Sequence, residues 1–166
     1  MRSDRSSYIH CIKYCSFFKN GASTCIRSYC DEHDDFYPRS FTGIPLNVSV
    51  AFKGNRAMEN DFLDILTDQG FSLKHTDIYV RKPKRPPTSI PSHTDEQVRI
   101  CIINLGKTPL EIQFYTSINI TLSESELITF SGDPPHSVLN PTVCDRLVIH
   151  SPVKTFTVNP SQCSKL

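Results

Sequence analysis

The chain is predicted to be mainly β, a β-sandwich or small barrel preceded by one or two helices. Three observations carry that prediction. From Val98 onward, short runs rich in β-branched residues recur between turn residues, twelve prolines punctuate the loops, and a single helical pattern stands ahead of the strands. With 166 residues, ten Phe and 38% hydrophobic content, the chain can bury one core, so one compact domain is expected.

Residues 1–40 hold Cys11, Cys15, Cys25 and Cys30 and an acidic cluster at 31–35, and they show no sustained period, so an irregular extension is expected there. The domain proper is placed at 41–160 and a tail at 161–166. Leu46 to Phe52 alternates apolar and polar residues and reads as a strand. Asn55 is a helix cap, Phe62, Leu63, Ile65 and Leu66 supply the buried side, and Gly70 is the stop. Phe71 to Val80 reads as a strand, and the prolines at 83, 86 and 87 make the next stretch a loop, since proline cannot donate to a ladder. Strands are then expected at Val98–Leu105, Leu110–Tyr115, Ile118–Leu122, Leu127–Phe130, Arg146–His150 and Thr155–Val158. The turns between them carry Gly106, Ser123-Glu124-Ser125, Gly132-Asp133-Pro134-Pro135 and Asn140-Pro141.

The formal charge of +1 argues against a surface that binds polyanions all over. Its distribution is uneven: residues 93–152 hold three basic residues (Arg99, Lys107, Arg146) against seven acidic ones, whereas residues 51–92 hold seven basic against five acidic. Seven Cys, an odd number, and an N-terminal stretch broken by Arg2, Asp4 and Arg5 point to a reducing, cytoplasmic setting. No apolar run approaches the roughly twenty residues of a membrane helix, so no membrane partner is expected. Cys11, Cys15, Cys25 and Cys30, with His10 and His33, match no compact zinc-knuckle spacing, and packed or free thiols are expected instead.

The chemistry is concentrated in His93-Thr94-Asp95, His136 and Arg146. Side chains two apart on a strand share a face, so His93 and Asp95 can converge on one ion. His136 follows four strands and a Pro-Pro turn, where a rolled sheet returns it beside the pair. Two imidazoles and a carboxylate suit Fe(II) or Mn(II), while a structural zinc site would recruit Cys. Arg146 lies ten residues on (146 − 136 = 10), and its planar fork can grip the far carboxylate of a keto-dicarboxylate whose oxo-acid end chelates iron. A chance H-x-D beside a surface histidine and a strand-end salt bridge from Arg146 to Asp145 or Glu126 is the plainer alternative. Outside this set, His150 and His75 read as structural or exposed.

Across roughly Phe71 to Pro152, these residues resemble the Fe(II)- and 2-oxoglutarate-dependent dioxygenases, and among them the AlkB-like nucleic-acid demethylases of plant RNA virus replication polyproteins. The stretches that carry the resemblance are Pro91-Ser92-His93-Thr94-Asp95-Glu96, Ile102-Ile103-Asn104-Leu105-Gly106 and His136-Ser137-Val138. The resemblance implies a double-stranded β-helix (jelly-roll), iron on His93, Asp95 and His136, and a co-substrate carboxylate on Arg146. It implies molecular oxygen as a reactant and alkylated RNA or DNA as substrate, in a monomer or a segment of a larger polyprotein. The family's Asn-x-Tyr looks like Asp77-Ile78-Tyr79, with Tyr79 helping to hold the co-substrate and Asp77 departing from the pattern. A second departure is the strand from Arg146 to Pro152, where the family's usual second Arg is missing.

Arg81, Lys82, Lys84 and Arg85, four cations in five residues before the metal pair, can form a phosphate-gripping lid at the mouth of the site, with a solvated loop as the plainer alternative. Tyr79 or His75 can stack on a base. A hydroxylase of the same superfamily acting on a protein or small molecule is the enzymatic alternative, and a non-catalytic jelly-roll that binds nucleic acid or protein is the other.

Overall fold

A computed structural model describes residues 7–33, 43–81, 90–142 and 145–152. Among the described residues, ten strands form two antiparallel sheets that face each other, the jelly-roll arrangement the resemblance implies. The strands are β1 (Ile9–Tyr14), β2 (Gly43–Pro45), β3 (Asp77–Arg81), β4 (Ile90–His93), β5 (Arg99–Asn104), β6 (Leu110–Phe114), β7 (Ile118–Leu122), β8 (Glu126–Ser131), β9 (His136–Val138) and β10 (Arg146–Ser151). The larger sheet has the order β1-β8-β5-β10-β3-β2, and the smaller has β4-β9-β6-β7.

The strand period decides what each residue meets. On β5, Ile100 and Ile102 enter the core between the sheets with Ile112, Phe114, Ile128, Phe130 and Val148. The alternate residues Cys101 and Ile103 join a second core, under the helices, with Leu127, Leu147 and Ile149. Both faces of β5 are thus covered, which is why it reads as a continuous apolar run rather than an alternating one.

The helices are α1 (Ser23–His33), α2 (Val48–Ala51) and α3 (Arg56–Asp68). On α3 the Asn55 side chain accepts a hydrogen bond from the Met58 amide (3.1 Å), and Gly70, at φ 82°, lets the chain turn out of the helix. Phe62 and Leu66, four apart, are the fully buried pair, while Leu63 and Ile65 are partly buried beside them.

Three sequence expectations are corrected. Ile9–Tyr14 and Ser23–His33, which lack a clear period, are an edge strand of the larger sheet and a helix that buries Ile26, Tyr29 and Cys30. Leu46 to Phe52 is not a strand, because Asn47 caps α2 through the Val50 amide (3.1 Å). Adjacent Ala51 and Phe52 are both buried, which strand alternation does not permit on one face. Phe71 to Val80 becomes strand only at Asp77, because the His75 amide and the Thr76 hydroxyl both donate to the Ser72 carbonyl and close a tight turn first. Thr155–Val158 and the tail lie outside the described residues.

Cys11 and Cys30 are disulfide-bonded, whereas Cys15, Cys25 and Cys101 are free thiols. This departs from the expectation of thiols throughout and removes two candidate zinc ligands, since residue parity says nothing about which sulfurs a fold brings within bonding distance. Among the described residues no helix is long and apolar enough to cross a membrane.

Candidate metal centre

β4 and β9 are neighbours in the smaller sheet, and their register sets His93 directly opposite His136. Of the H-x-D pair, only His93 lies on a strand. Asp95 sits in the turn beyond β4, so the convergence of the H-x-D pair comes from that turn rather than from strand alternation. The turn is pinned by the Asp95 amide donating to the Gly132 carbonyl (2.8 Å) and the Gly132 amide donating to the Val98 carbonyl (2.8 Å). A Cβ on Gly132 would run into the Asp95 carbonyl oxygen, its Cβ and the Val98 carbonyl oxygen, so only glycine allows this approach.

His93, Asp95 and His136 offer ligand atoms that all lie within 4.8 Å of one another. His136 Nε2 is 3.0 Å and His93 Nε2 is 3.3 Å from Asp95 Oδ2, and the two rings are 4.5 Å apart. Each Nδ1 donates to the carbonyl two residues earlier, Pro91 for His93 and Pro134 for His136, both at 2.8 Å. A carbonyl can only accept, so each Nδ1 carries a proton; with a second proton on Nε2, His136 donates to Asp95, and where a cation takes that proton's place both Nε2 atoms offer it a lone pair beside the carboxylate. Three electron-pair donors converging on one point are what a cation requires, and backbone anchoring of the far ring nitrogen is how metal-binding histidines are oriented. The hydrogen bond from His136 holds the Asp95 carboxyl below the usual carboxylate range, against a smaller opposing effect of burial. His136 is buried and His93 is exposed, so the site opens to solvent on the His93 side.

These side chains form one wall of a cavity of about 250 Å³ between the sheets. The opposite wall is made by inward residues of β3 and β10: Tyr79 and Arg81, and Arg146, Val148 and His150. Arg146 is 1% exposed. Its Nη1 donates to Asp145 Oδ1 (2.7 Å), and among the described residues its Nε and Nη2 have no partner. Of the two salt-bridge partners the sequence offers, Asp145 and Glu126, Asp145 is the one in contact, and the edge of the guanidinium left over has room for the carboxylate grip. Burial depresses the Arg146 pKa while Asp145 opposes the shift.

The Tyr79 hydroxyl lies 3.1 Å from His150 Nε2, and burial pushes the phenol up to about 12, so it is a neutral hydrogen-bonding group. Gly43, across from Arg81 on β2, leaves the space that the Tyr79 ring fills. His150, which sequence reasoning leaves outside the site, lines the cavity. Its place two residues past Val148 on the inward face of β10 is the signal that could have found it, and burial lowers its pKa, which favours the neutral ring. Asp77 is exposed and does not line the cavity. Arg81, expected in a lid at the mouth of the site, lines the cavity itself, while Lys82, Lys84 and Arg85 lie outside the described residues. His75 is exposed on the turn before β3, away from the cavity lining.

No family model and no curated protein matches the chain. Among solved structures, a Pseudomonas putida prolyl-4-hydroxylase is 16% identical with a TM-score of 0.51, over 89% of this chain and 92% of that one. The DMSP lyase DddQ from Ruegeria pomeroyi is 11% identical at a TM-score of 0.38, over 80% of this chain and 92% of that one. TT1209 from Thermus thermophilus is 17% identical at a TM-score of 0.35, over 49% and 77%. Only the first similarity carries weight, and at that identity it speaks to fold. The chain has a mainly β, jelly-roll fold like that of the prolyl-4-hydroxylase, with a His-Asp-His cluster at its cavity.

Proposed function

We propose that this chain is an Fe(II)- and 2-oxoglutarate-dependent dioxygenase. One observation carries the reading: a His-Asp-His cluster and a buried guanidinium with two unpartnered nitrogens, among the described residues, line the same cavity. The donor set fits the metal, because imidazole and carboxylate suit Fe(II) and leave coordination positions open for a chelating acid and oxygen. The arginine fits the acid. Nε and Nη2 form one edge of the guanidinium fork, the edge that takes a carboxylate through two parallel hydrogen bonds.

When bound, iron and 2-oxoglutarate supply an oxidant made from molecular oxygen, with succinate and carbon dioxide as co-products. The chain's own part is orientation. His93, Asp95 and His136 would hold the ion, Arg146 would fix the far carboxylate, and Asp145 would keep the Arg146 fork in place. Tyr79 offers a neutral hydroxyl to the co-substrate, and the apolar walls of Ile100, Ile102, Phe130 and Val148 limit water around the reacting centre.

For the substrate, the sequence resemblance around His93, Asn104 and His136 supports an AlkB-like demethylase of alkylated RNA or DNA. Hydroxylation of a protein or small molecule is supported by the fold shared with a prolyl-4-hydroxylase and by a β10 that carries Arg146 as its one arginine. Succinate release measured with methylated oligonucleotides and with proline-containing peptides tests both. Acceleration by the oligonucleotides together with formaldehyde release supports demethylation, and acceleration by the peptides alone supports hydroxylation. No succinate with any substrate, in protein that binds Fe(II), would reject the oxygenase reading.

A further inference from the structure

The antiparallel register of β3 and β10 pairs Ile78 with Ile149, Tyr79 with Val148 and Val80 with Leu147. One step further along that register, Arg81 faces Arg146. Both side chains line the cavity, Arg81 on the same strand face as Tyr79 and Arg146 on the same face as Val148. Like charges set directly across a strand pair repel, and here they do so in a partly buried setting. Asp145 is hydrogen-bonded to Arg146 and Asp95 belongs to the histidine cluster, so the two guanidinium groups retain an excess positive charge at this end of the cavity. An anion between them relieves the repulsion and uses the open edge of Arg146.

We propose that Arg81 and Arg146 form a two-guanidinium clamp for the distal carboxylate of the dicarboxylate co-substrate, so that Arg81 is a positioning residue of the cavity and not part of a phosphate-binding lid. The clamp rests on the co-substrate reading above. It also gives β3 a specific role, since Gly43 admits the Tyr79 ring, and Tyr79 and Arg81 then stand side by side on the cavity wall.

The test is calorimetry on the Mn(II)-loaded chain, comparing 2-oxoglutarate with pyruvate, which keeps the oxo-acid end but lacks the distal carboxylate. Pyruvate is read as a competitor of 2-oxoglutarate. In Arg81→Gln, 2-oxoglutarate binding is expected to weaken roughly 10- to 100-fold, the range for a lost hydrogen bond to a charged group, while pyruvate and Mn(II) bind as in the parent. Arg81→Lys should recover part of the loss, because the charge returns without the planar fork. Unchanged 2-oxoglutarate affinity in Arg81→Gln overturns the clamp, and so does an equal loss for both acids. A loss confined to methylated oligonucleotide overturns it in favour of the lid. If the parent chain binds Mn(II) but not 2-oxoglutarate, the co-substrate reading itself fails and the clamp with it.

Discussion

His93 and His136 are oriented by the same local device, a protonated Nδ1 held by the carbonyl two residues back, with a proline supplying that carbonyl in both cases. Proline cannot donate from its nitrogen and fixes φ, so each carbonyl is held on a stiff segment. Asp95 is the shared partner of both Nε2 atoms. Asp95→Ala should therefore lower Mn(II) affinity by more than the roughly 10- to 100-fold typical of losing a group that merely supports a ligand, as read by calorimetry. Pro91 and Pro134 could have been noticed two residues before each histidine, whereas the hydrogen bonds they accept depend on backbone angles that residue names do not encode.

A second residue-scale expectation concerns pH. Arg99 Nε donates to His10 Nδ1 (3.3 Å), which requires that nitrogen to be unprotonated, and burial followed by the nearby Arg99 charge lowers the His10 pKa from 6.5 to about 4. The unfolded chain then binds more protons than the folded chain between those two values, so stability rises with pH across that window. The contribution is complete above about 6.5 and is lost as pH falls toward about 4. Thermal melts across that range should show the parent losing stability on acidification, with His10→Gln losing less. Parallel curves would contradict this.

At the scale of elements, the turn between β4 and β5 is the part on which the site depends most. Gly132→Ala forces a Cβ against backbone atoms at Asp95 and Val98, which cannot move independently of the Asp95 carboxylate. The expected result is weaker Mn(II) binding in a protein that still folds, and unchanged binding would show that the turn does not position Asp95. β10 depends on packing from both neighbours, so Leu147→Ala, at a fully buried position, should cost about 2–5 kcal/mol in chemical denaturation.

The elements legible in the sequence were those whose period matched their environment: α3 with its Asn55 cap, β7 to the residue, and β5, β6, β8 and β10 to within a residue or two. Those that escaped are short or depend on distant partners. β2 and β9 have three residues each, too few to show a period, and β1 is defined by its pairing with β8 more than a hundred residues away. Asn47 took the opposite path, since a local cap overrode a strand-like alternation.

At the scale of the molecule, two sheets and a helical layer give the chain two cores, and the cavity lies in the one between the sheets. The His-Asp-His cluster belongs to the smaller sheet and its attached turn, while Arg81 and Arg146 belong to the larger one. The convergence of His93, Asp95, His136 and Arg146 on one cavity was legible because their order and spacing survive folding. His150 and the inward placement of Arg81 were not, because they follow from how β3 and β10 register across the sheet. A metal ion that binds only the folded form stabilises it by mass action, by about 2.7 kcal/mol at a hundredfold excess over its dissociation constant. Saturating Mn(II) should accordingly raise the melting temperature of the parent, and that rise should vanish in His136→Ala.

The most direct test of the central claim is an anaerobic titration of the chain with Fe(II) followed by 2-oxoglutarate, read by visible absorption. One Fe(II) per chain, with a chelate band that grows on adding 2-oxoglutarate and is absent in His93→Ala, is the expected result. Failure to bind Fe(II), or an identical band in His93→Ala, would contradict the assignment of His93, Asp95 and His136 as the metal centre.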